Sequence, residues 1–117
     1  MANTNISAPT AILDTRLWAG VGNDDTTWQS GAATGTISMA IVELTITDGD
    51  AAAAYDLALA TNPVTGSEIV GILGLHNVTT AGGNDFPVAG NVSTTTLIKF
   101  TGAGADADKI RITFLYR

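Results

Sequence analysis

One histidine, two acidic pairs and two tryptophans are the residues of this chain whose types lend themselves to chemistry or recognition. His76 is the only histidine, so a serine–histidine relay or a histidine-bearing metal site has to use it. It follows the run Ile72-Leu73-Gly74-Leu75, with no Gly-x-Ser-x-Gly context nearby. A single residue does not make a site, and His76 reads as a surface or turn histidine. Asp48 and Asp50, with Asp56 further on, open like a calcium loop, because hard cations take clustered oxygen ligands. The pattern then fails. Ala52 stands where another oxygen ligand belongs, Ala53 where the loop needs glycine, and Leu59 where a bidentate glutamate would close it. Asp106 and Asp108 form a second pair with the same weakness, and both pairs read as solvated turns.

Glycosidase chemistry needs two carboxylates facing each other across a cleft, and nothing in the sequence selects such a pair. Glu43 falls mid-strand on a polar face and Glu68 at a strand start, where solvated carboxylates ordinarily lie. Gly20-Val21-Gly22 lacks the third glycine of a dinucleotide fingerprint, and no lysine has a phosphate-loop context. With no cysteine, thiolate catalysis, zinc–cysteine sites and disulfides are excluded. The expectation is a non-enzyme with no cofactor and no metal. Trp18 and Trp28 flank a loop, and tryptophan is enriched at binding hot spots. Filling a ring-poor core is the competing use for both.

Composition narrows the classes of partner. Eleven acidic against five basic residues give a net charge of −6, which repels polyanions and removes the counterion release that drives nucleic-acid binding. Nucleic acid and anionic membrane surfaces are therefore not expected as partners. No apolar run approaches the roughly 20 residues that span a bilayer. Met1 to Thr15 has no basic stretch followed by an apolar one, unlike a signal peptide. At 117 residues, 45% apolar and 14% charged, the chain is expected to fold as one domain. Its 18 alanines and 18 threonines beside seven aromatic residues leave the core to Val, Ile, Leu and a few rings. The sequons at Asn5, Asn77 and Asn91 read as accidents of a Thr- and Ser-rich chain.

The elements that would position these residues are mostly strands. Met1 to Thr10 is small and polar and reads as an arm, and Ala11 to Ala19 supports a short strand with Leu13, Leu17 and Trp18 available for burial. Gly20 to Gly35 is loop, with room for a brief strand at Thr26 to Gln29. Thr36 to Thr47 is the clearest strand: Val42, Leu44 and Ile46 alternate with Glu43, Thr45 and Thr47. Before Ala40 the phase reverses, with Ile37, Met39 and Ile41 in the other register, which implies a bulge or a strand buried on both faces. In AAAAYDLALA the four alanines after Asp50 would suit a helix, but Tyr55, Leu57 and Leu59 alternate, and a strand is expected. Glu68 to Leu75 reads as a buried strand where Gly71 and Gly74 let another backbone come close. A short piece at Phe86 to Val88, a strand at Thr94 to Thr101 and a final strand at Lys109 to Arg117 follow.

Short strands with Gly-rich turns predict an all-β, single-domain antiparallel β-sandwich or barrel-like fold. A flexible N-terminal arm over residues 1–15 is expected to precede the domain at 16–117. The Ala, Thr and Gly richness, acidic balance, lack of cysteine, polar arm and short strands around Gly71-Ile72-Leu73-Gly74-Leu75 together resemble small virion structural proteins of tailed phages. These are the proteins described as capsid decoration, cement or head-stabilising proteins. The resemblance implies a β-domain on the capsid surface of the virion, made in the host cytoplasm. It also implies a homo-oligomer, with the trimer favoured, that binds the major capsid protein or neighbouring virion subunits. Candidate partner-binding residues are Asn3, Asn5, Ile6 and Pro9 in the arm, with Trp18 and Trp28. The competing expectation is a carbohydrate- or receptor-binding β-sandwich module of a phage tail or adhesion apparatus, using one of the two tryptophans.

Overall fold

Alternating apolar residues at the middle and end of the chain form the two central strands of the larger sheet. The structure, a computed structural model, describes residues 3–18, 37–49, 54–59, 68–79, 86–101 and 104–117. Among these residues eight strands run in order: β1 (Thr10–Trp18), β2 (Ile37–Thr45), β3 (Ala54–Ala58), β4 (Ile69–Asn77), β5 (Phe86–Pro87), β6 (Ala89–Thr94), β7 (Leu97–Thr101) and β8 (Lys109–Tyr116). They form a five-stranded sheet, β1-β2-β8-β4-β5, and a three-stranded sheet, β3-β7-β6. Every pairing is antiparallel, and the two sheets pack as an all-β sandwich.

The core is the set of inward positions. Ala40, Val42 and Leu44 of β2 lie opposite Phe114, Ile112 and Ile110 of β8, and all six are buried. The smaller sheet meets them with Tyr55 and Leu57 of β3 and Phe100 and Ile98 of β7. The rings of Tyr55 and Phe100, paired across the two strands, stack with centroids 5.2 Å apart. Each fully buried Leu, Ile or Phe contributes about 1.5–3 kcal/mol, so this inter-sheet layer holds the sandwich without disulfides.

Three expectations change at this level. Ser38–Thr45 pairs with β8 without a register shift, so the phase reversal in β2 is no bulge of that pairing; β2 carries apolar residues on both faces. The irregularities lie in the β1–β2 pairing, at Ala11/Leu13 and Arg16/Trp18. Thr94 to Thr101 is not one strand: β6 and β7 form a hairpin turning at Thr95-Thr96. The third change concerns β4. Ile69, Leu75 and Asn77 are buried, but Val70 and Leu73 are exposed, so the strand is open along much of its length. The strand expected around Tyr55 is β3, with Tyr55, Leu57 and Leu59 buried, while 50–53 and the expected strand at 26–29 lie outside the described residues.

Residues 3–9 run against the body of the domain. Thr4 and Asp56 exchange backbone hydrogen bonds of 3.0 and 3.3 Å, Ser7 N–H donates to Thr45 O at 2.8 Å, and Thr47 N–H donates to Asn5 O at 3.0 Å. Side chains complete the seam. Asn5 Nδ2 donates to Ala54 O at 2.7 Å, Asn3 Oδ1 accepts from Ala58 N–H at 2.8 Å, and Ser7 Oγ accepts from Thr45 N–H at 2.9 Å. Ile6 sits in the core cluster. This strap closes the side of the sandwich between β2 and β3, turning its corner at Asn5 with φ 61°. The boundary expected at residue 16 falls inside a nine-residue strand.

Candidate functional site

The strand registers place two rows of side chains across the outer face of the five-stranded sheet, because directly opposed residues of an antiparallel pair point the same way. One row is Thr15, Met39, Leu115 and Gly71; the next is Leu13, Ile41, Thr113 and Gly74. Ile37, two positions before Met39 on β2, extends the apolar strip. Met39, Ile41 and Leu115 are half-buried and Leu13 is 39% exposed. The shift residues of β4 add to the open apolar surface, Val70 at 45% and Leu73 at 59% exposure. Leu13, expected to be available for burial, instead faces outward, because the irregularity after Ala11 resets its phase against β2.

Gly71 and Gly74 flatten one side of this face. Neither has a positive φ, and no heavy atom of the described residues lies within 4 Å of where a Cβ would stand at either. Gly90 shows the contrast: a Cβ there would collide with the Leu75 side chain. Glycine inside a strand costs backbone entropy and forgoes packing. At 71 and 74 no contact within the described chain requires it. The close approach expected at these glycines is therefore not supplied by another described backbone of this chain.

The next row along the same face is polar: Thr10, Glu43, Arg111 and His76. Glu43 accepts from Arg111 at 2.8 Å and lies 3.8 Å from the Lys109 amine. A shallow hollow of about 250 Å³ lies here, lined by Gly74, His76, Val78, Arg111 and Thr113. His76 is an exposed strand residue whose cross-strand neighbour is a guanidinium. A second hollow, about 390 Å³, lies on the smaller sheet along Ala89–Asn91 and Lys99–Thr101. Its charged group, the Lys99 amine, is held by Asp56 at 2.9 Å.

The two acidic turns meet in space, since Asp106 Oδ1 accepts from Gly49 N–H. The carboxylates of Asp106 and Asp108 are engaged within the fold. Asp108 Oδ2 accepts from Ala105 N–H and from Asn77 Nδ2, each at 3.0 Å. The fully buried Asn77 amide also accepts from Thr79 N–H at 2.9 Å. Among the described residues no three acidic or histidine side chains gather as a cation site. Beyond the sheet face, Tyr116 donates to Asp14. Burial first, and the Asp14 carboxylate second, push the phenol up to about 12.

Of the partner-binding candidates, Asn3, Asn5, Ile6 and Pro9 lie in the strap. Asn3 and Asn5 bond β3, and Ile6 and Pro9 are buried. Trp18 ends β1, and Trp28 lies outside the described residues. The structure brings the first four together and leaves them apart from the apolar outer face. Sequence reasoning missed that face as a unit. Its signals were present in the phase reversal at Ile37, Met39 and Ile41 and in the glycine spacing of β4. Compared with protein-family models, curated proteins and solved structures, the chain matches none of them.

Proposed function

We propose that this chain is a non-enzymatic virion structural protein that decorates or cements a phage capsid through protein–protein contacts. It acts as a homo-oligomer, and the outer face of its five-stranded sheet is the surface that meets the shell. The observation that carries the reading is the pair Gly71 and Gly74. They leave an apolar sheet face without side chains at positions where a Cβ would have open space among the described residues. An open apolar strip bordered by a charged row has the anatomy of a protein contact, with an apolar centre and a polar rim. The resemblance to small tailed-phage virion proteins supplies the capsid as partner.

The test is co-sedimentation of the purified chain with assembled capsids of the virus that encodes it, with the bound copy number measured. Attachment at a copy number set by the shell's symmetry is the expected result. Leu73→Asp puts a charge on the most exposed large apolar residue among those described and is expected to weaken attachment about ten-fold, equivalent to about 1.4 kcal/mol. Absence of the chain from the capsid fraction at every salt concentration would sink the proposal.

A further inference from the structure

We propose that residues 3–7 are an exchangeable strap, and that their seat along β3 and the end of β2 accepts the same residues from a second copy of this chain. The idea rests on the reading that the chain works by contact between copies, and it names the segment that links them. These bonds of the strap reach residues far away in sequence: Thr4 to Asp56, Asn5 to Ala54 and Thr47, Ser7 to Thr45, and Asn3 to Ala58. An identical strap from a neighbour would make each of these bonds unchanged, and this identity is what makes exchange of an element thermodynamically inexpensive.

The joint between strap and body favours it. Ser7 bonds Thr45 and Thr10 pairs with Glu43, so the chain takes one more step than β2 does and the surplus falls at Ala8-Pro9. Pro9 has no N–H to bond there and biases Ala8 to an extended backbone. Asn5 holds a left-handed φ of 61° inside the strap, a conformation asparagine tolerates and an exchanged strap would carry with it unchanged. The hinge itself is short, two residues at Ala8-Pro9, the kind of connection through which an element is exchanged. With the strap lifted, the vacated seat offers the groups it had bonded, Ala54 O, both backbone groups of Asp56 and Ala58 N–H, beside the place of Ile6 in the core. An open strand edge next to an apolar socket takes up an extended segment, and the segment whose amide side chains and isoleucine match this register is the chain's own.

Because the chain has no cysteine, introduced thiols report contacts cleanly. Chains carrying Thr4→Cys are mixed at high concentration with chains carrying Asp56→Cys, incubated and oxidised. A parallel mixture pairs Thr4→Cys with Thr94→Cys, which lies on the opposite edge strand of the smaller sheet. Circular dichroism checks that each variant is folded. The expected result is a dimer linked by a disulfide between positions 4 and 56, about ten-fold more abundant than the control product, as a specific seat raises effective concentration. No excess over the control, together with purely intrachain closure of the double variant at every concentration, would overturn the exchange. The double variant locked within one chain separates the two ideas. Capsid attachment that survives the lock leaves the contact function standing without exchange.

Discussion

Replacing Gly71 and Gly74 together by alanine should stabilise the isolated protein while weakening its contacts. A Cβ at either position meets open space among the described residues, and neither φ is positive. Each change therefore mainly removes unfolded-chain entropy, worth about 0.4–1 kcal/mol. The two sites lie three positions apart and share no side-chain partner, so their effects should nearly add, to about 1–2 kcal/mol. With an unfolding entropy of about 2.1 cal/mol/K per residue, 117 residues give about 0.25 kcal/mol/K, and the melting temperature should rise by about 4–8 °C. Thermal and urea unfolding followed by circular dichroism measure this, and an unchanged m-value would confirm that only stability moved. The same protein, tested for capsid co-sedimentation, should bind several-fold more weakly, because two methyl groups stand up from a face that a partner meets flush. A loss of stability beyond about 1 kcal/mol would refute the reasoning, since it would mean that the chain itself needs both glycines. Higher stability with undiminished attachment would keep the packing argument and remove the contact face.

Two other expectations follow from the strap and from Tyr116. Ile6→Ala should cost about 2–3 kcal/mol, the low end for a buried isoleucine, because a strap can settle around the gap. Hydrogen exchange at the Asp56 and Ala58 amides, both bonded to the strap, should quicken with it; unchanged exchange there would show that Ile6 does not hold the strap down. For Tyr116 the folded pKa of about 12 lies above the ordinary 10. The stability linked to this group is therefore complete below pH 10 and lost as pH rises through 12. Asp14→Asn removes the second cause of the shift, so the Tyr116 titration followed by NMR should move down toward the ordinary value. A midpoint that stays put would assign the shift to burial alone.

What the sequence disclosed follows from how each element is held. β8 and the second half of β2 were legible because Ile110, Ile112, Phe114 and Tyr116, and Val42, Leu44 and the following Ile46, each recur at every second position and enter the core. The β6–β7 hairpin was not, because its turn is Thr95-Thr96, residues that also favour strands, with no glycine or asparagine to mark a reversal. Residues 3–9 read as an arm because only Ile6 among them buries a large apolar side chain. Much of the rest of their attachment comes from backbone hydrogen bonds at Thr4, Asn5 and Ser7 and from the side chains of Asn3, Asn5 and Ser7 on strand edges, which leaves no hydrophobic period. β4 read as buried because its residues are apolar, although apolar character alone does not say which layer lies above a strand. The apolar outer face was half visible: the glycines signalled close approach, and only the structure showed that the described chain does not fill the space.

The size of that face bears on how it works. Four strands about 4.8 Å apart span about 19 Å, and the apolar positions from Ile37 to Ile41 run about 14 Å along the strands. The strip thus covers about 270 Å², roughly a third of the 800 Å² that each partner contributes to a standard stable interface. Along the strands it ends at the row of Glu43, Arg111 and His76, where two cations, Arg111 and Lys109, share one carboxylate on an otherwise acidic molecule. On the proposed reading a partner's apolar footprint would stop there, and the charged row would fix its orientation more than its affinity. One such contact is weak by itself. Firm attachment requires several copies presented together, because linked sites convert later contacts into intramolecular ones and can multiply affinity by about 10²–10⁴ without new interactions. On the proposed reading, the small face of the large sheet and the strap beyond the end of β2 would be complementary: one would meet the surface to be bound, and the other would join the copies that make the binding strong.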